Sequence, residues 1–81
     1  IVGTWESLNL HPTVMIYPSK KKYLLSMLHV SDNGQAQPAT YEIQKEDSRY
    51  FIVSAFKRLY IGYDKAKDSL SISYYGNYLR N

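Results

Sequence analysis

Leu59-Tyr60-Ile61-Gly62-Tyr63-Asp64-Lys65-Ala66-Lys67-Asp68-Ser69-Leu70-Ser71-Ile72-Ser73-Tyr74 is the stretch on which the fold turns. Leu59, Ile61 and Tyr63 alternate with their neighbours, a polar run follows from Asp64 to Asp68, and Leu70, Ile72 and Tyr74 resume the alternation. Successive side chains of a strand point to opposite faces, so a period of two on both sides of a polar turn spells a β-hairpin. Ser69, Ser71 and Ser73 fall on the other face of the second strand and mark it as solvent-facing.

Outward from this hairpin the same pattern recurs. Tyr41 and Ile43 alternate with Thr40, Glu42 and Gln44, Glu46-Asp47-Ser48-Arg49 turns the chain, and Tyr50-Phe51-Ile52-Val53 returns it. From Tyr50 to Ala55 both faces are apolar, which predicts a central strand or a sheet curled enough to cover both sides. Asp32-Asn33-Gly34 supplies residues that accept positive φ and predicts a tight turn between a strand ending near Val30 and one entering Tyr41. Pro12 and Pro18 bracket Thr13-Val14-Met15-Ile16-Tyr17, a β-branched and aromatic run suited to a short strand. Between Lys20 and Val30 two periods compete. Tyr23, Leu24, Met27 and Leu28 fit helical spacing, but the Asp-Asn-Gly turn that follows and the β-rich surroundings favour a strand. No linker, repeat or low-complexity tract divides the chain. The expectation is a single all-β domain over 1–81, an antiparallel meander of about seven strands forming a small barrel or half-barrel.

Composition bounds the function classes. A chain of 81 residues buries only roughly 60–65% of its unfolded surface, which leaves little material for a deep catalytic cleft. There is no cysteine, hence no disulfide framework and no thiolate zinc site. Nine Tyr, two Phe and one Trp supply large rings that bury much area at small entropic cost. The net charge of +3 is modest and scattered, so nucleic acid is not implied. No apolar run approaches the ~20 residues that span a bilayer. The chain begins at Ile1 rather than Met, consistent with removal of a leader or lipid anchor, and the sequence assigns no compartment. Ile1-Val2-Gly3 matches the start of activated trypsin-like proteases, but this chain lacks room for their two barrels.

Two short motifs carry a family resemblance. Gly3-Thr4-Trp5 opens the first strand and Gly76-Asn77-Tyr78-Leu79-Arg80 closes the last, and together they resemble the calycin pattern of lipocalins. That resemblance implies that the Arg80 guanidinium stacks over the Trp5 indole and closes the base of a barrel, with Gly3 leaving space for close chain approach. A Tyr-x-Ile in an early hairpin, Tyr63-Asp64 before the last turn, Asp68-Ser69-Leu70-Ser71-Ile72 after it and the terminal Gly-x-Tyr-x-Arg also resemble small proteins of unknown function carried on bacterial conjugative transposons. This second resemblance implies context rather than activity.

The residues that carry chemistry elsewhere are sparse. His11 and His29 lack a second ligand at metal-site spacing, so no metal or other cofactor is expected. There is no Gly-x-Ser-x-Gly elbow for a nucleophile and no Gly-rich phosphate loop, and we expect no enzyme activity. Asp64 and Asp68 flank a turn, where capping of local amides is the simplest use of a carboxylate. Lys20-Lys21-Lys22 is the one basic run. With Arg49, Lys57 and Arg58 and with Tyr23, Tyr50 or Tyr60 it offers a stacking platform for single-stranded nucleic acid, although a solvated lysine turn explains it more simply. Tyr74, Tyr75 and Tyr78 cluster at the C-terminus and form a candidate interaction surface with Lys20, Lys21 and Lys22. Sheet edges in so small a protein need protection, and a homodimer fits the sequence as well as a monomer.

Three functions follow in order: a protein-interaction or accessory module, a carrier of a small apolar ligand in a cavity lined by Leu25, Met27, Ile52 and Ile61, and a single-stranded nucleic-acid binder.

Overall fold

The structure, a computed structural model, describes residues 1–9 and 11–81. Nine strands follow one another: β1 (Gly3–Ser7), β2 (Thr13–Ser19), β3 (Lys22–Val30), β4 (Ala36–Glu42), β5 (Gln44–Glu46), β6 (Arg49–Ser54), β7 (Lys57–Asp64), β8 (Ser69–Ile72) and β9 (Gly76–Arg80). No helix occurs among the described residues. The competition between Lys20 and Val30 is resolved as strand β3. Leu25 and Met27 enter the core while Leu24 and Leu28 lie half-buried on the outer face, the alternation a strand requires.

The sheet order is β4-β3-β2-β1-β9-β8-β7-β6-β5, all antiparallel. Each neighbour is a hairpin partner except at the centre, where the first strand meets the last: Trp5 opposes Arg80, Glu6 opposes Leu79 and Ser7 opposes Tyr78. The meander curls into a nearly closed barrel. The count exceeds about seven because residues 36–46 change partners. Ile43 still donates its amide to the Tyr23 carbonyl at 2.9 Å, and from Gln44 onward the chain pairs with β6 instead. One bent run therefore serves both ends of the sheet. The remaining seam is bridged where the Ser54 hydroxyl donates to the Tyr41 hydroxyl at 3.2 Å.

That same Ile43 bond fixes which backbone groups of β4 face outward. With Ile43 directed at β3, alternation directs Tyr41, Ala39 and Gln37 there too and leaves Ala36, Pro38, Thr40 and Glu42 facing the free edge. Pro38 thus removes a donor from the unpaired row, which blunts the edge against strand addition.

Inward residues of seven strands meet in one core of Trp5, Val14, Ile16, Leu25, Met27, Ile52, Leu59, Ile61, Leu70, Ile72 and Tyr78, all nearly or fully buried. Leu25, Met27, Ile52 and Ile61 are packing residues within this cluster rather than the walls of an empty cavity. Each such aliphatic side chain contributes about 1.5–3 kcal/mol on burial. On the outer face, hydroxyls tie strands together: Tyr17 to Ser26 and Ser26 to Thr40, both at 2.9 Å.

Strand β6 takes the second of its two expected settings: it lies next to the edge strand β5, in a curled sheet, rather than at the centre. Its outward Phe51 is nonetheless buried, because Arg58 lies over its ring at 4.4 Å and Tyr60 packs against it at 5.9 Å. Side chains of the same sheet do the covering that a second layer would otherwise do.

Candidate functional site

The two ends of the barrel differ, and the register says which loop lies where. Strand β1 runs away from the N-terminus, so the β2–β3, β5–β6 and β7–β8 turns gather at the end where β1 starts and β9 finishes. The β3–β4, β6–β7 and β8–β9 turns gather at the other.

At the first end, Trp5 is fully buried and donates its indole N–H to the Ile1 carbonyl at 2.9 Å. The Arg80 guanidinium sits over the indole, 4.4 Å from the ring centroid. Its Nη1 donates to the Val2 carbonyl at 2.5 Å, while Nε and Nη2 fork onto Asp68 at 2.7 and 3.1 Å. Tyr63 donates its hydroxyl to the same carboxylate at 2.7 Å and meets Trp5 edge-on at 6.0 Å. Gly3 has φ +148°, and a Cβ there would run into the Arg80 guanidinium, so only glycine serves. The Arg80 fork, with help from Tyr63, holds the Asp68 carboxyl below its ordinary range, and the Asp68 hydrogen bond raises the Tyr63 phenol. Every charged group in this cluster is committed to another.

The acidic turn divides its labour. Asp64 accepts from the amides of Ala66 and Lys67 at 3.0 and 3.3 Å, the capping role expected of it. Asp68 instead locks Arg80 across the β8–β9 hairpin, one register step beyond the Ser69–Leu79 pair. Beside the plug lies a shallow apolar recess of about 270 Å³ lined by Ile1, Val2, Tyr23, Ile43 and Tyr50. Lys20, Lys21 and Lys22 lie on or beside the β2–β3 turn at this same end, with Lys22 paired to Glu42 at 3.4 Å.

The other end holds the aromatics. Tyr74 is exposed on the β8–β9 turn, and Tyr75 packs edge-on against His11 at 5.4 Å. Tyr78 departs from its expected place on the surface: it is fully buried and donates its hydroxyl to the Pro12 carbonyl at 2.9 Å. Burial pushes its phenol up to about 12. The reason is register, because Tyr78 opposes Leu70 on the inward face while Asn77 and Leu79 point out. The tyrosines and the lysine run therefore belong to opposite ends and do not form one surface.

The residue that sequence reading passed over is Phe56. It sits at the tip of the β6–β7 hairpin, its relative exposure is 104%, and it has φ +65° beside Ala55 at φ +52°. A two-residue turn of this kind favours Asn-Gly, and a bulky residue there is strained. The signal was present in the spacing: Ser54 pairs with Lys57, so Ala55 and Phe56 alone make the turn. Next to the tip, the Lys57 ammonium lies 5.6 Å from the Tyr74 ring.

Of the rings expected in a stacking platform for nucleic acid, Tyr60 carries Arg49 over its face at 3.9 Å and Tyr50 carries Lys45 at 5.5 Å, while Tyr23 is exposed. Among the described residues, no helix is long and apolar enough to cross a membrane.

A family model described as "Domain of unknown function, B. Theta Gene description (DUF3876)" matches residues 1–80. No curated protein matches the chain, and no solved structure does.

Proposed function

We propose a function from the premise that this chain belongs to the DUF3876 family: it is a non-enzymatic protein-interaction module, a small rigid barrel that presents Phe56 and Tyr74 from adjacent loops to a protein partner. The observation that carries this reading is Phe56, a fully exposed phenyl ring held at the tip of a turn whose backbone disfavours it. Strain of that kind costs about 1–3 kcal/mol and persists where something else is gained. Tyr74, 77% exposed and also at positive φ, extends the patch, and exposed aromatics are the usual anchors of protein interfaces. The groups with shifted pKa near the plug serve closure: Asp68, Tyr63 and Arg80 satisfy one another.

Two finer readings accompany it. The Trp5–Arg80 stack and the Gly3 contact support a lipocalin-like mode of barrel closure. The motifs shared with small proteins of conjugative transposons support an accessory role on such an element. A carrier of small apolar ligands is the second functional reading, resting on the recess of Ile1, Val2, Tyr23, Ile43 and Tyr50 rather than on the filled interior.

Site-specific photocrosslinking tests the principal reading. A photoreactive phenylalanine analogue at position 56 is expected to give discrete protein adducts in the native host, and the same probe at exposed Met15 on the barrel wall is not. Equal labelling at both sites would remove Phe56 from any special role.

A further inference from the structure

The Asp32-Asn33-Gly34 turn between β3 and β4 holds chemistry that neither barrel closure nor partner contact uses. Asn33 Oδ1 accepts two hydrogen bonds, one from the Ser31 hydroxyl and one from the Gln35 amide at 3.2 Å. The Gln35 carbonyl, at 3.2 Å, is a more distant acceptor for the same hydroxyl. Two donors on one carbonyl oxygen draw electron density from the carboxamide carbon, Asn33 Cγ. They also stabilise the negative charge that a nucleophile adding at Cγ would push onto that oxygen. A nucleophile lies within the same turn, because the Gln35 bond closes a ring that contains both Asn33 Cγ and the Gly34 backbone nitrogen. Gly34 has no side chain to shield that nitrogen, and a Cβ placed there would meet nothing within 4 Å. One contact restrains it: the Gly34 amide donates to the Ser31 carbonyl at 2.9 Å. That bond is a weak lock, since Ser31 to Gln35 are all exposed and water competes for both of its groups.

We infer that Asn33 is a modification site, where the folded turn promotes an intramolecular deamidation whose co-reactant is water. The Gly34 amide gives its proton to solvent base, and its nitrogen forms a bond to Asn33 Cγ. The carboxamide C–N bond of Asn33 breaks, its nitrogen takes a proton from water and leaves as ammonia, and a cyclic imide joins residues 33 and 34. Water then adds across one of the two imide C–N bonds and leaves either an aspartyl or an isoaspartyl residue at position 33. No group is oxidised or reduced. The product places a carboxylate beside Asp32 and lowers the net charge of +3 by one. The isoaspartyl form also lengthens the backbone by a methylene at the tightest point of the hairpin, next to the Val30–Ala36 pair. The modification therefore loosens the hairpin that carries the free edge of β4.

Peptide mass mapping of the folded protein, incubated in neutral buffer made with heavy-oxygen water, tests this. Heavy oxygen is expected to enter position 33, in aspartyl and isoaspartyl peptides that chromatography separates. Asn9 and Asn77, which precede the bulky Leu10 and Tyr78, are expected to stay unlabelled over the same period. Ser31→Ala removes one donor from Oδ1 and is expected to slow labelling of the folded protein about 2- to 10-fold, the worth of one hydrogen bond. Ser31→Thr keeps the hydroxyl and is expected to keep the rate. In strong denaturant all three proteins are expected to label position 33 at equal rates, because the hydroxyl is then no longer placed. A folded wild-type chain that takes up no label while the unfolded chain does would show that the Ser31 carbonyl protects the turn, and would overturn the inference. So would a folded-state rate that Ser31→Ala leaves unchanged or raises.

Discussion

Asp68 shows how one side chain can be worth more than its neighbourhood suggests. It is a turn residue at φ +48°, yet it binds Arg80 through two oxygens and takes a third bond from Tyr63. Its folded-state pKa lies below the ordinary 3.8. The folded state therefore binds the proton less readily than the unfolded chain, and the network stabilises the fold fully above that ordinary value. This contribution is lost as pH falls below about 4 and through the folded pKa. Thermal melts at decreasing pH are expected to show a drop in Tm below pH 4 that Asp68→Asn lowers in size, because the amide does not titrate. An unchanged pH profile in the variant would mean that other carboxylates govern acid unfolding. The network also keeps the guanidinium over Trp5, which links a single acid on β8's leading turn to the packing of the whole plug.

Hairpins set the next scale. Asp47-Ser48 and Ala55-Phe56 both make two-residue turns with positive φ at each position, but only the first contains a residue that tolerates it well. Replacing Ala55-Phe56 with Asn-Gly removes strain and an exposed ring together. Relief of the positive-φ strain, about 1–3 kcal/mol, outweighs the roughly 0.5–1 kcal/mol that a new glycine costs in chain entropy. A net gain in chemical denaturation is expected, accompanied by loss of the partner adducts formed by a photoreactive probe at position 74. Stability and partner binding are thus expected to move in opposite directions at one hairpin. A destabilised Asn-Gly variant would show instead that Phe56 packs on its own molecule. Strand β6 teaches the complementary lesson, since cationic side chains from β6 and β7 cover rings on the outer wall and leave the aromatic patch to the loop tips.

For the molecule as a whole, the pairing of β1 with β9 is the contact that turns a ribbon of hairpins into a barrel. It is also the most distant in sequence, and closing so long a loop costs entropy before any reward. The chain ends lie together at the plugged end, where the Asn81 amide donates to the Thr4 carbonyl at 2.9 Å. A circular permutant that joins Asn81 to Ile1 through a short linker and opens the Ser31–Gln35 turn makes this contact local. It is expected to unfold cooperatively with a Tm near that of the parent and to refold faster. A permutant that fails to fold would show that the β3–β4 hairpin must form early.

Alternation and turn residues in the sequence set the all-β class, the antiparallel meander and the turns at Asn33-Gly34 and Asp64–Asp68, because these act within a few positions of one another. The meeting of Gly3, Trp5 and Arg80 at one end is a contact between the two chain ends, and only the resemblance to the calycin pattern implied it. Only the tertiary structure decided that Tyr78 is core, that Tyr74 and the lysine run lie at opposite ends, that Asp68 rather than Asp64 holds Arg80, and that Phe56 stands alone in solvent. Each of these depends on register, and a strand slipped by one residue exchanges its two faces. An alternating pattern fits either face equally well, so the choice falls to the pairing of each strand with its neighbours.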